Sequence, residues 1–197
     1  MRTENGYMPD KSLKRVSALA SNYAQGQVVA DKNIGVILQE LPNLTLWQIA
    51  AWPDRLSEIS RITADTIGVE AAPGPGKSKV FENRAMLRVE PLKFWIIGIT
   101  APQISPTKGT ILDLSHSRTH VRIAGPQAQV LLNRHLPLDL RDKSFAPGSV
   151  ASTAFHLVGV TLWRSPSGFE LFLPRSFALS IWELLCESAA QFGYEIA

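Results

Sequence analysis

The sequence predicts an α+β protein: antiparallel sheets with flanking helices, built as two loosely repeated halves. Short stretches of strand character recur along the chain, and most are joined by tight turns carrying Gly, Pro or Ser, which suits antiparallel pairing. Helical periodicity is confined to a few segments, the first two opened by a proline. Each half also repeats one order: a strand, a Pro-opened helix, then further strands.

Residues 1–33 are polar, carry Gly6, Pro9 and Gly26, and show no sustained period. They read as an extended N-terminal arm that orders on a neighbouring chain, so that removing it leaves the isolated fold intact and weakens assembly. Residues 34–197 read as a single domain, with halves at about 34–100 and 109–197. "LTLWQIAAW" (44–52) is rich in β-compatible residues and predicts a strand. Pro53 then opens a helix, with Asp54 placed near the positive end of its dipole. Leu56, Ile59, Thr63 and Ile67 share one face, and Gly68 suits the left-handed residue that ends the helix. "RAMLRVE" (84–90) alternates as a half-buried strand does, and "KFWIIGI" (93–99) is its more apolar neighbour.

"TAPQISPTKG" (100–109) is a linker by its prolines and glycine. "TILDLS" and "THVRIAG" follow as strands around the turn "HSR", and Pro126 opens a helix through Ala128, Leu131, Leu132 and His135. "SVASTAFHL", "GVTLWR" and "FELFLP" are strands separated by turn formers, with Phe169, Leu171 and Leu173 on one face of the last. Ser176 is the expected N-cap of a final helix whose stripe is Ile181, Leu184, Leu185, Ser188 and Phe192, ending at Gly193.

Length and composition suit one compact unit: 197 residues, 45% hydrophobic and 19% charged. The longest apolar run, "FWIIGI" (94–99), is far below the roughly 20 residues a membrane-crossing helix needs. A mean hydropathy of +0.03 without such a run suggests a chain that buries apolar surface against protein partners. The net charge of +3 is spread among acidic residues with no basic helix face, which argues against nucleic acid. A single cysteine, Cys186, excludes an internal disulfide and fits a reducing, cytoplasmic setting; among apolar helix residues it reads as an inert thiol.

Candidate chemistry is sparse. "GPGKS" (74–78) resembles the end of a phosphate-binding loop, but position 71 is Ala where the motif needs Gly, and a helix precedes the loop where a strand should. Lys77 therefore reads as a solvated residue on a Pro/Gly turn. His116, His120, His135 and His156 have no ligand spacing and read as structural. "RSPSG" (164–168) lacks the first glycine of a nucleophile elbow and reads as a hairpin loop, while Asp139 and Asp142 read as a solvated face. Trp47, Trp95 and Trp182 are expected in the core. Trp163 beside Arg164 is more open, and with Arg175 these form the candidate partner contacts. No catalytic, cofactor-binding or metal-ligating residue is assigned.

The C-terminal half carries a resemblance. "LPLDLRDKSFAPGSVASTAFHLVGVTLWR" followed by "FELFLPRSFALSIWELLCESAAQFG" resembles the gamma subunit of heterotetrameric sarcosine oxidase, through the boxes Pro137–Leu140, Pro147–Val150, Val160–Arg164 and Pro174–Ala178 leading to Trp182. "ILDLSHSRTHVRIAGPQAQVLL" (111–132) is similar both to that family and to the folate-binding domain of the glycine-cleavage T-protein. The likeness is good over about 84–197 and looser over 34–70. It implies a T-protein-like fold and a non-catalytic subunit that assembles with alpha, beta and delta subunits into a complex oxidising the N-methyl group of sarcosine. The resemblance further implies that FAD, FMN, NAD and tetrahydrofolate are held by the other subunits and none by this chain. A stand-alone folate-binding or one-carbon-transfer protein of the same fold is the alternative, and the N-methyl substrate of the complex, sarcosine or another such as dimethylglycine, is left open.

Overall fold

The computed structural model describes residues 16–28 and 34–197. In the first half, β2 (Val36–Glu40) and β3 (Leu46–Ala51) lead through a 3₁₀ turn at Pro53–Arg55 into α1 (Leu56–Ile67), followed by β4 (Ser78–Phe81), β5 (Arg84–Glu90) and β6 (Lys93–Ile97). The second half runs β7 (Gly109–Asp113), β8 (Arg118–Ala124), α2 (Ala128–Asn133), β9 (Val150–Phe155), β10 (Val158–Ser165) and β11 (Gly168–Pro174). A 3₁₀ turn, α3 (Ala178–Ala189) and β12 (Tyr194–Ile196) close the chain, and β1 (Gly26–Val28) precedes both halves.

The strands form a seven-stranded sheet, β1-β12-β2-β8-β11-β10-β9, and a five-stranded sheet, β4-β5-β6-β3-β7. Every pairing is antiparallel except β12 with β2. The loose duplication expected from the sequence is a regular one in space. Each half reads strand, strand, helix, then three strands, and each sends its first strand into the other sheet: β2 pairs with β8, and β7 pairs with β3. The two loops that introduce β4 and β9 meet at the crossing point. Ser78 donates its N–H to the Gly148 carbonyl and Val150 donates its own to the Gly76 carbonyl, both at 2.8 Å, around a bridge between Lys77 and Ser149. Gly76 and Gly148 both take positive φ, 69° and 86°, which is what glycine permits there.

The sheets face one another, with α2 and α3 on the outer face of the seven-stranded sheet and α1 on that of the five-stranded one. Three apolar clusters result: one under α2 and α3, one between the sheets, and one under α1. Strand alternation sorts the residues. In β11, Phe169, Leu171 and Leu173 pack toward the helices, while Phe172 joins the inter-sheet cluster. In β5, Ala85 and Leu87 face the other sheet, but Met86 is also fully buried under α1, so this strand is covered on both faces rather than half-buried.

α1 follows its sequence signals. Gly68 has φ 95° and donates its N–H to the Ala64 carbonyl, closing the helix as a left-handed cap. α3 departs from them. Ser176 is not its cap; the 3₁₀ turn at Arg175–Phe177 displaces the start, and Phe177 takes the N-cap position without a side-chain bond. The buried stripe is accordingly Ala178, Ile181, Trp182, Leu185 and Ala189, leaving Leu184 39% exposed.

The N-terminal segment is the largest departure. Over 16–28 it is not an arm free to lie on a neighbour. Leu19 is fully buried in the cluster under α3, Tyr23 packs on Trp182 with ring centroids 5.4 Å apart, and β1 pairs with β12. The Tyr23 hydroxyl donates to the Ala197 carbonyl, and Ser17 donates to Glu40. One buried leucine and one half-buried tyrosine in a short segment carry no period, which is why the sequence conceals this docking. The remainder of the expected arm, 1–15 and 29–33, lies outside the described residues.

Candidate functional site

Charged groups are concentrated in one part of the inter-sheet space. Arg118, His120 and Arg122 alternate along β8 and so share its face toward the five-stranded sheet. Opposite Arg122 in the ladder stands Glu170 of β11, 0% exposed. Its carboxylate accepts from Arg122 Nε at 2.7 Å and Ser165 Oγ at 2.8 Å, and lies 2.8 Å from His120 Nε2. The His120 ring stacks on Phe172 at 4.4 Å. Burial alone would raise the Glu170 carboxyl, but the hydrogen bond and charge of His120, with Ser165 and Arg122, hold it below its ordinary value.

This cluster forms one wall of a cleft of about 370 Å³, closed on the other side by the β4–β5 hairpin at Val80, Asn83 and Arg84. A second depression of about 290 Å³ continues from it past Leu41, Ile97 and His120. Ser165 donates to a carboxylate whose pKa is lowered, and such a carboxylate is a poor base, so the hydroxyl is not activated as a nucleophile. Sequence reasoning missed Glu170 because a single glutamate in "FELFLP" carries no motif. Its unlike company on an otherwise apolar strand was the available signal.

The sequence-predicted residues are dispersed. Lys77 donates from Nζ to Ser149 Oγ at 3.1 Å at the junction of the halves, so it is not merely solvated. His116 sits on an exposed turn, apart from His120. His156 pairs with another histidine: its Nε2 lies 3.0 Å from Nδ1 of His135, whose Nε2 lies 2.9 Å from Ser188 Oγ. Burial, then the charges of His156 and Arg134, push His135 below the ordinary histidine range. Among the described residues no group of three or more His, Cys, Asp or Glu side chains converges as a metal site. Asp139 accepts from Arg141 and Ser144 within its own turn, and Asp142 pairs with Arg164 at 2.7 Å. Cys186 is half-buried and its thiol is pushed up by burial, which makes it a poor nucleophile.

The candidate partner contacts fall in three different settings. Trp163 is only 7% exposed, in the inter-sheet cluster, and its indole N–H donates to Ser78 Oγ at 2.8 Å. Its place on a strand beside an arginine suggested openness; the strand's alternation turns it inward instead. Arg164 is largely covered, donating to the Phe145 carbonyl at 2.8 Å and lying over the Phe169 ring. Arg175 is exposed and donates to the Val16 carbonyl at 2.7 Å, beside Phe177, which is itself 48% exposed.

Two facing antiparallel-dominated sheets with a few flanking helices define a class, the mixed α+β fold shared with aminomethyltransferases. Glycine cleavage system aminomethyltransferase T from Bartonella henselae matches with a TM-score of 0.60 at 15% identity, over 84% of this chain and 48% of that one. Within the class the resemblance sharpens. A chain of heterotetrameric sarcosine oxidase from Corynebacterium sp. U-96, solved in complex with pyrrole 2-carboxylate, matches with a TM-score of 0.78 at 22% identity, over 90% of this chain and 96% of that one. In sequence the chain is 26% identical over 184 residues to sarcosine oxidase subunit gamma of Corynebacterium sp. (strain U-96), covering 89% of this chain and 88% of that one. It is also 26% identical over 183 residues to sarcosine oxidase subunit gamma of an Arthrobacter species, covering 88% of each. No protein-family model matches the chain.

Proposed function

We propose that this chain is a non-catalytic, gamma-type subunit of a heterotetrameric sarcosine oxidase complex, with a role in assembly. The observation that carries the reading is the near end-to-end similarity to proteins of that name, 89% of this chain against 88% of the relative. Its partners are then the alpha, beta and delta subunits of the complex, in the cytoplasm, and FAD, FMN, NAD and tetrahydrofolate are held by those subunits. The closed Glu170 cluster supports the non-catalytic part, because its carboxylate and Ser165 are committed to each other and to β8. Of the three candidate contacts, Arg175 is the one left at the surface, next to the exposed Phe177. The test is co-expression of the tagged chain with its neighbouring genes, then a pull-down read by its flavin absorption spectrum. A yellow, stoichiometric complex is expected; a chain that elutes alone and colourless overturns the reading.

A second reading has one observation in its favour. The chain is 31% identical over 91 residues to an aminomethyltransferase of Koribacter versatilis, though this spans only 24% of that protein. A stand-alone folate-binding role would show as tight tetrahydrofolate binding by the isolated chain in equilibrium dialysis, together with the absence of flavin-bearing partners.

A further inference from the structure

The cationic face of β8 is only partly neutralised. Glu170 stands opposite Arg122 and engages Arg122 and His120, but the residues of β11 opposite His120 and Arg118 are Phe172 and Pro174. Arg118 therefore meets no carboxylate across its strand pair. Among the described residues its guanidinium makes one hydrogen bond, 3.2 Å from Nη1 to the carbonyl of the adjacent Ser117. The side chain is half-buried, and that burial pulls its pKa below the ordinary arginine value.

Arg118 lines a cleft of about 450 Å³ between the sheets, distinct from the one beside Glu170. Around it stand Gln48 and Trp95 of the five-stranded sheet and Ser152, Thr153 and Thr161 of the other. The Trp95 indole N–H is taken by Gln48 Oε1 at 3.1 Å, which turns the amide NH₂ of Gln48 free of that bond. The one carboxylate among the lining residues, Glu90, is paired with Lys93 at 2.8 Å and is itself half exposed. A partly desolvated cation with four unused N–H donors, facing a roomy cleft, is the arrangement that an incoming anion completes.

We propose that this cleft binds a small organic carboxylate, with the Arg118 guanidinium gripping the carboxylate and the hydroxyls of Ser152 and Thr161, paired on the same face of the sheet, bonding its polar remainder. A carboxylate fits better than a phosphate. The site offers a single cation and neutral hydroxyls, and the planar guanidinium fork matches a planar carboxylate in two parallel bonds. Trp95 and Val89 supply an apolar wall for a carbon skeleton, and the volume is within the range of small-molecule sites. The inference rests on Arg118 and its neighbours and is independent of the assembly role proposed above.

The test is titration of the full chain with propionate, following the arginine Nε–Hε resonances by NMR, with sodium chloride as the control. One resonance, absent in Arg118→Gln, is expected to move saturably, with a dissociation constant on the order of millimolar. Binding should weaken by roughly ten-fold or more in Arg118→Gln and by a few-fold in Thr161→Val, as loss of a charge-assisted and a neutral hydrogen bond predicts. No saturable shift in the wild type, an equal response to chloride, or undiminished binding by Arg118→Gln would each overturn the proposal. So would a site that responds in the isolated chain but is blocked in the assembled complex, because an acidic side chain of a partner then occupies it.

Discussion

Among the described residues Glu170 is the most deeply buried charged group, at 0% exposure. Its carboxylate sits at zero exposure between His120, Arg122 and Ser165, so removing it strands two ionisable side chains in the inter-sheet space. Glu170→Ala is expected to destabilise the chain by about 3 kcal/mol, measured by urea unfolding, since breaking one partner of a buried pair leaves the others uncompensated. The same residue sets an acid limb. Its folded pKa lies below its ordinary value of 4.5, so its contribution is present above that value and is lost as pH falls from 4.5 through the lower folded value. Unfolding free energy followed by pH should show that loss in the wild type, and the limb should flatten in Glu170→Gln. Glu170 also shows where residue-level reading stops. Its partners His120 and Arg122 lie 50 and 48 positions away along the chain, and only the β8–β11 register sets Arg122 opposite it and His120 diagonal to it.

Elements were legible where a local rule chooses them. Pro53 and Gly68 bracket α1, alternation marks β5 and β11, and the turn "HSR" marks the start of β8, because these signals act within a few residues. They were not legible where an element exists only by docking. β1 and β12 are three residues each, and nothing in "GQV" or "YEI" makes a strand until each finds its ladder. The segment around Leu19 is the instructive case. Leu19 is part of the core under α3, so deleting residues 1–28 is expected to cost roughly 3 kcal/mol, in the range of losing a large buried side chain. For a chain of this size that is a fall in melting temperature of about 6–12 °C by differential scanning calorimetry. Leu19→Ala alone should reproduce most of it. An unchanged melting temperature would return the segment to the role of an arm.

At the scale of the whole molecule, the exchange of β2 and β7 between the halves makes the sheets mutually dependent. Neither half contains all the strands of its own sheet. Fragments 1–104 and 105–197, expressed separately, are therefore expected to lack native near-ultraviolet circular dichroism, and to recover it on mixing. Independent folding of either fragment would contradict the argument. The Phe172 ring, stacked on His120 and edge-on to Trp95 at 5.6 Å, sits where the two sheets meet and ties their unfolding together.

By itself the sequence determined the α+β class, the two helix-bearing halves and most strand positions. Those follow from periods of 2 and 3.6 residues and from turn chemistry, all short-range. It also carried the likeness to the sarcosine oxidase gamma subunits, through several boxes taken together. The tertiary structure alone decided that the halves exchange their first strands, that Leu19 of the N-terminal segment belongs to the core, and that Trp163 points inward. It alone also left Arg118 with Pro174 rather than a carboxylate opposite it on β11, while Glu170 neutralised its neighbours. These are long-range outcomes: strand order and register set which side chains meet, and neither is written in any local stretch of the chain.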